Sequence, residues 1–125
     1  MRKLYVPAVA LALLALQGCS PTKPPTDLLD AASRSLGSAR SAGAAEYAST
    51  EYRSAGRRYD QAQAAEAREE YDEAARLARE SSADSELAIA KARLAKAREA
   101  VDRLKQENSA LDRDLTEHAS PEAQP

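Results

Sequence analysis

The chain has 125 residues with 18 basic and 20 acidic side chains, a formal charge of −2 that gives no basic excess to hold a nucleic-acid backbone. It contains one cysteine and neither phenylalanine nor tryptophan. An intramolecular disulfide is therefore impossible, and a core of large side chains is not expected in a domain of this size.

The chain begins as an export leader should. Arg2 and Lys3 open it, and the stretch Val6 to Leu16 is apolar apart from Pro7. That stretch is too short to cross a bilayer core, which needs roughly 20 apolar residues, so a cleaved signal over 1–18 is predicted. Leu16-Gln17-Gly18-Cys19 resembles the bacterial lipobox, with a branched apolar residue three before the cysteine and a small residue just before it. The resemblance implies diacylglycerol on Cys19, cleavage after Gly18 and acylation of the new amino terminus. The competing reading is an ordinary secretory signal with a chance cysteine. Three acyl chains exceed the two signals that stable anchoring requires, and lipidation removes a thiol that would be reactive in an oxidising compartment. Ser20 stands where an acidic residue would mark retention at the inner membrane, which favours the outer membrane and its periplasmic face.

Loss of Arg2 and Lys3 with the leader leaves 16 basic against 20 acidic residues, a charge of −4. The 107 residues from Cys19 to Pro125 hold only fifteen Leu, Ile, Val and Tyr, so thin helical packing through alanine is expected. Ser20 to Pro25 carries three prolines and reads as an extended tether completing segment 19–25.

A first helix is predicted from Thr26 or Asp27, with Leu28, Leu29, Ala32, Leu36 and Ala39 at three- and four-residue spacing and Gly43 as its stop. Ala44 to Ala48 is expected as a connection. A second helix then starts at Ser49 or Thr50 and shows a face of Tyr52, Ala55, Tyr59, Ala62 and either Ala65 or Glu66. A further break is expected near Glu69 to Tyr71, where no glycine or proline marks it.

That break rests on a resemblance. Ala65 to Ser81 is similar to the turn and second helix of a tetratricopeptide-like unit. More widely, Leu29 to Leu94 resembles the bacterial envelope family DUF4398, through Gly43-Ala44-Ala45-Glu46-Tyr47-Ala48 and Tyr71-Asp72-Glu73-Ala74-Ala75-Arg76-Leu77-Ala78. Ser49 stands where the family's turn has a proline. The resemblance implies an alanine-rich helical hairpin, often on a lipoprotein, and brings no activity.

From Asp72 to about Glu117 no proline or glycine interrupts a run rich in strong helix formers. Such a helix spans about 70 Å, whereas the two before it cover about 25 to 30 Å each. The predicted organisation is thus all-α, with a helical hairpin or bundle over 26–98, an overhanging coiled-coil-like end over 99–118 and a disordered tail over 119–125.

The long helix carries a heptad register. Leu87, Leu94, Val101, Asn108 and Leu115 fall at a positions, and Ala90, Ala97, Leu104 and Leu111 at d positions. The upper stripe, Leu87 to Ala97, is expected to pack on the first two helices. Val101, Leu104, Asn108, Leu111 and Leu115 are the candidate partner-binding face. In a parallel homodimer Arg93 would meet Arg98, and Glu107 would meet Asp112. Antiparallel pairing instead lets Arg93 face Glu107 or Asp114, and Lys91 face Asp112, so charge sign favours an antiparallel copy or a different partner chain.

Tyr47, Tyr52, Tyr59 and Tyr71, beside Arg53, Arg57 and Arg58, could line a shallow glycan or peptide site. Their spacing is also that of a packed helix face, which is the expected role. His118 is the lone histidine, and no nucleophile–base set, phosphate loop or metal-ligand spacing is visible. The expectation is a non-enzymatic envelope module with no cofactor beyond the lipid on Cys19, joined to another envelope protein or to its own copy. A pilotin-like assembly factor capturing a peptide segment is the alternative, and noncovalent peptidoglycan binding a second.

Overall fold

A computed structural model describes residues 23–119, so the leader, the lipobox residues Leu16, Gln17 and Gly18, and Cys19 itself lie outside the described residues. Four helices follow one another: α1 (Thr26–Ser41), α2 (Ala44–Tyr47), α3 (Ser49–Ala67) and α4 (Tyr71–His118). The all-α expectation holds throughout the described residues.

Helix α1 starts where the prolines end. Pro25 is its N-cap, and the Pro25 carbonyl accepts the first bonds, from Leu28 N and Leu29 N. Neither Thr26 nor Asp27 supplies the expected side-chain cap, although Asp27 sits in the first turn, where the helix dipole favours it. The helix ends through Gly43, held at φ 84°, a backbone conformation only glycine adopts without cost. The expected connection Ala44 to Ala48 is instead the single-turn helix α2. The Gly43 carbonyl accepts from both Glu46 N and Tyr47 N, and the turn buries Ala44 and Ala48.

The turn between α3 and α4 uses no glycine. Glu69 adopts φ 61°, Glu70 N donates to the Ala65 carbonyl and Glu69 N to the Glu66 carbonyl. This is a Schellman motif with glutamate at the left-handed position, where a side chain costs about 1–2 kcal/mol. Glu69→Gly is therefore expected to raise unfolding stability by about 1 kcal/mol, read as a higher urea midpoint at unchanged slope.

The core is almost wholly alanine. Leu29, Ala32, Ala62, Ala65, Ala74, Leu77 and Ala78 form one buried cluster, and Ala39, Ala44, Ala48, Ala88 and Ala92 a second. These clusters lay α1 parallel to α4 and α3 antiparallel to both. Small side chains let the helix backbones come close, which a polar contact records. Ser81, fully buried on α4, donates its hydroxyl to the Ala55 carbonyl of α3 at 2.9 Å. Ser85, equally buried, bonds back to the Ser81 carbonyl at 2.8 Å.

Ion pairs bind α3 to α4 along the rim. Arg58 reaches Glu80 at 3.3 Å and also Asp84, and Lys91 bonds Glu51. The Lys91 hydrogen bond holds the Glu51 carboxyl below its usual range, and Arg68 does the same for Glu70. A carboxylate whose folded pKa is lowered stabilises fully above its ordinary value, and that contribution is lost as pH falls through the lowered value. The melting temperature is expected to drop between about pH 5 and pH 3, with a shallower slope in Glu51→Gln. An unchanged slope in that variant would remove the pair from the account.

Candidate interaction surface

Helix α4 has 48 residues, about 72 Å at 1.5 Å per residue, against 16 for α1 and 19 for α3. Its bundle face is Ala74, Ala78, Ser81, Ser85, Ala88 and Ala92, at alternating four- and three-residue steps. Past Ala95 every described residue is exposed. The last ties to the bundle form a clasp at its upper end. Lys96 donates to the Ala42 carbonyl at 2.7 Å and lies 5.3 Å from the centre of the Tyr47 ring. Tyr47 in turn donates its hydroxyl to Glu99 at 3.1 Å, and that bond to a carboxylate raises the Tyr47 pKa. Lys96 lies so close to Gly43 that an added Cβ would meet its Nζ at 2.6 Å.

The heptad stripe lies on the other side of this helix. At about 100° per residue, the a and d positions stand roughly 150° round the axis from the bundle face. Val101, Leu104, Leu111 and Leu115 are 48, 57, 58 and 59% exposed, and Asn108 is exposed between them. The expectation that Leu87 to Ala97 packs on the first helices is overturned. Leu87 and Leu94 are 47 and 50% exposed, and Ala90 and Ala97 also face solvent. Ala88 and Ala92, one helix face away, do that packing. The seam therefore runs unbroken from Leu87 to Leu115, about 42 Å, along the outside of the bundle and on past it.

Beyond the bundle the opposite face turns polar, with Glu99, Asp102, Gln106, Ser109 and Arg113 where alanines would continue a core. Side chains there bond along their own helix: Arg103 with Glu99 at 3.9 Å, Lys105 with Asp102 at 3.7 Å and Arg113 with the Ser109 carbonyl at 3.0 Å. Exposed pairs of this kind add little, roughly 0–1 kcal/mol. The seam is the only apolar face the distal helix offers.

A concavity lies between α1 and α3. It has a volume of about 600 Å³ and is lined by Leu36, Gly37, Arg40, Tyr52, Arg53, Gly56, Arg57 and Tyr59, among others. Tyr52 and Tyr59 are half-buried and also pack against the core clusters, in keeping with their packing role. Tyr52 accepts a hydrogen bond from Arg40 at 3.1 Å, and Arg58 turns away from the groove to pair with α4. Leu36, Arg40 and the two glycines were not foreseen as a site. The available signal was Gly37 and Gly56, glycines inside helices that no turn requires. A Cβ at either would meet nothing within 4 Å.

His118 lies exposed on the last turn, with Nδ1 2.8 Å from the Asp114 carbonyl. Among the described residues no cluster of His, Cys, Asp and Glu is arranged to hold a metal ion, and no helix is long and apolar enough to cross a membrane.

The family model described as Domain of unknown function (DUF4398) matches residues 27–104. The chain belongs to the DUF4398 family. The match covers the bundle from Asp27 on, the Lys96–Tyr47 clasp and the seam as far as Leu104. It reaches beyond Leu29 and Leu94, where the sequence resemblance began and ended, and stops inside α4, so Leu111 and Leu115 lie past the DUF4398 span. No curated protein and no solved structure matches the chain.

Proposed function

We propose that this DUF4398 protein is a lipid-anchored, non-catalytic interaction module of the cell envelope, held at Cys19 and presenting the outward seam of α4 in the periplasm. One observation carries the interaction part of the reading. An apolar stripe four heptads long is exposed on a helix that already satisfies its bundle with the opposite face. Amphipathic helices bury such a stripe against another helix, and none of the described helices covers this one. The lipobox-like Leu16-Gln17-Gly18-Cys19 supports the anchor, and Ser20 supports the outer membrane.

Two experiments test the halves separately. Labelled palmitate is expected to enter the protein in cells and to be lost in Cys19→Ser; retention of label in that variant would refute the anchor. A photo-crosslinking residue at Leu111 is expected to give a discrete product in living cells, identified by mass spectrometry. No product from Leu111 and none from Leu104 would demote the seam to a solvated helix face.

A peptide-capture role, as in a pilotin-like assembly factor, is the second reading. The groove between α1 and α3 favours it, with Arg40, Arg53 and Arg57 round an apolar floor. It fits an acidic, partly apolar segment. Crosslinking from Arg57 in place of Leu111 would move the function to that groove.

A further inference from the structure

We propose that the seam is closed by a second copy of this chain, packed antiparallel, with Val101 of each copy opposite Leu104 of the other. The proposal rests on the reading of the seam as an interaction surface and names its occupant.

Side-chain volume along the seam selects this arrangement. The d positions near the bundle are alanines, Ala90 and Ala97, whereas those of the overhang are Leu104 and Leu111. In a parallel pair each alanine would face its own counterpart, leaving gaps between layers spaced by leucine, and close packing disfavours such gaps. Antiparallel pairing sets a against d. With Val101 opposite Leu104, Leu115 falls on Ala90, Asn108 on Ala97, and Leu94 on Leu111. Each alanine meets a larger residue, so no layer pairs alanine with alanine, and Leu87 falls on His118 at the end of the partner helix.

Charge points the same way. In this register Arg93 faces Asp114 and Lys91 faces Asp112, each twice by symmetry. Lys91 already bonds Glu51 within its own chain, so Arg93 with Asp114 is the deciding pair. Arg98 opposite Lys105, also twice by symmetry, is the unfavourable contact. The parallel alternative would match Asn108 with itself, which parallel coiled coils tolerate well, but it opposes Arg93 to Arg98 and Glu107 to Asp112. Shifting the antiparallel register by one heptad in either direction loses both the Arg93–Asp114 and the Lys91–Asp112 pairs. One shift sets Arg93 against Glu107 but also Arg98 against Arg98 and Lys91 against Lys105; the other sets Arg98 against Asp112 but also Glu107 against Glu107 and Lys105 against Lys105.

The seam is open along the bundle. The overhang of one copy would lie along the outer face of the other's bundle, where Leu87, Ala90, Leu94 and Ala97 are exposed and no other described element covers them. A seam of four heptads is also long enough to hold a coiled coil.

The test uses the chain from Ser20 to Pro125, which contains all four helices whole and lacks Cys19. Sedimentation equilibrium is expected to show a concentration-dependent dimer. A spin label on the single thiol of Glu86→Cys should read about 50 Å between copies, because antiparallel partners place the two labels some 33 residues apart along the axis. Arg93→Glu is expected to weaken the dimer roughly tenfold, and adding Asp114→Lys to restore it. In a parallel dimer Arg93→Glu would instead strengthen association, by facing Arg98, and the labels would lie within about 25 Å. Either of those results overturns the antiparallel pairing. A monomer at every concentration up to about 100 μM overturns self-association altogether, weaker binding than that being negligible for a four-heptad seam. The seam as an interaction surface would then stand or fall separately, on a hetero-product from the Leu111 crosslink.

Discussion

Leu104→Asp combined with Leu111→Asp is expected to abolish every crosslinked product of the seam while leaving the melting of the bundle unchanged. Both leucines are more than half exposed and lie beyond Glu99, the last residue hydrogen-bonded to the bundle side. Both lie past the described bundle, so their replacement leaves its core clusters untouched. In a paired seam each new carboxylate would be buried against apolar neighbours without a partner, at a cost of several kcal/mol. Capture should fall at least about hundredfold, since each 1.4 kcal/mol is tenfold. The matched control is Gln106→Asp with Arg113→Asp on the opposite face, which brings the same kind of residue into the helix but leaves capture intact. If the control also destroys capture, the loss reports fraying of α4 and not burial of the seam.

The second large effect lies in the alanine core. Ala88→Leu is expected to destabilise the bundle by about 3 kcal/mol or more, and Ala90→Leu by no more than about 0.5 kcal/mol. Ala88 is fully buried against the cluster of Ala39, Ala44, Ala48 and Ala92, so three added carbons have no space. To admit them α4 must move away from its neighbours, because the buried side chains it meets there are alanines, which have no rotamers to change. Ala90, two residues on, faces solvent. Urea unfolding of dilute protein measures both. Equal losses at the two positions would mean that the bundle face and the seam are not on opposite sides.

That contrast explains what could be read from the sequence. The start at the prolines, the stop at Gly43, the unbroken run of α4 and its heptad spacing were all legible, because proline, glycine and periodic leucine each have one dominant structural meaning. The sidedness of α4 was not. Ala88 and Ala92 form the core while Ala90 and Ala97 face water, and residue type does not distinguish them. Leu87 and Leu94 drew the reading inward because large apolar residues usually point into a bundle; here the small residues do. Glu69 was invisible for a related reason, since a left-handed turn residue is normally announced by glycine or asparagine. The short helix α2 escaped because five residues after a glycine are too few to show any period. The groove was half legible: the tyrosines and arginines of α3 were noted, but its other wall, at Leu36, Gly37 and Arg40, comes from α1 and carries no local mark.

The parallel course of α1 and α4 bears on mechanical load. Lys23, Pro25 and Leu28 lie beside Tyr71 and Asp72, so the chain enters the bundle at the end where α4 begins. If the entry is tied to a membrane and the far seam to a partner, tension pulls α1 downward and α4 upward. The two helices are then drawn past each other in shear. Every contact between them bears force at once, where a peeling geometry would break them one at a time. Such a bundle resists traction better than its thin alanine core suggests, and the Lys96–Tyr47 clasp lies across the same line of force.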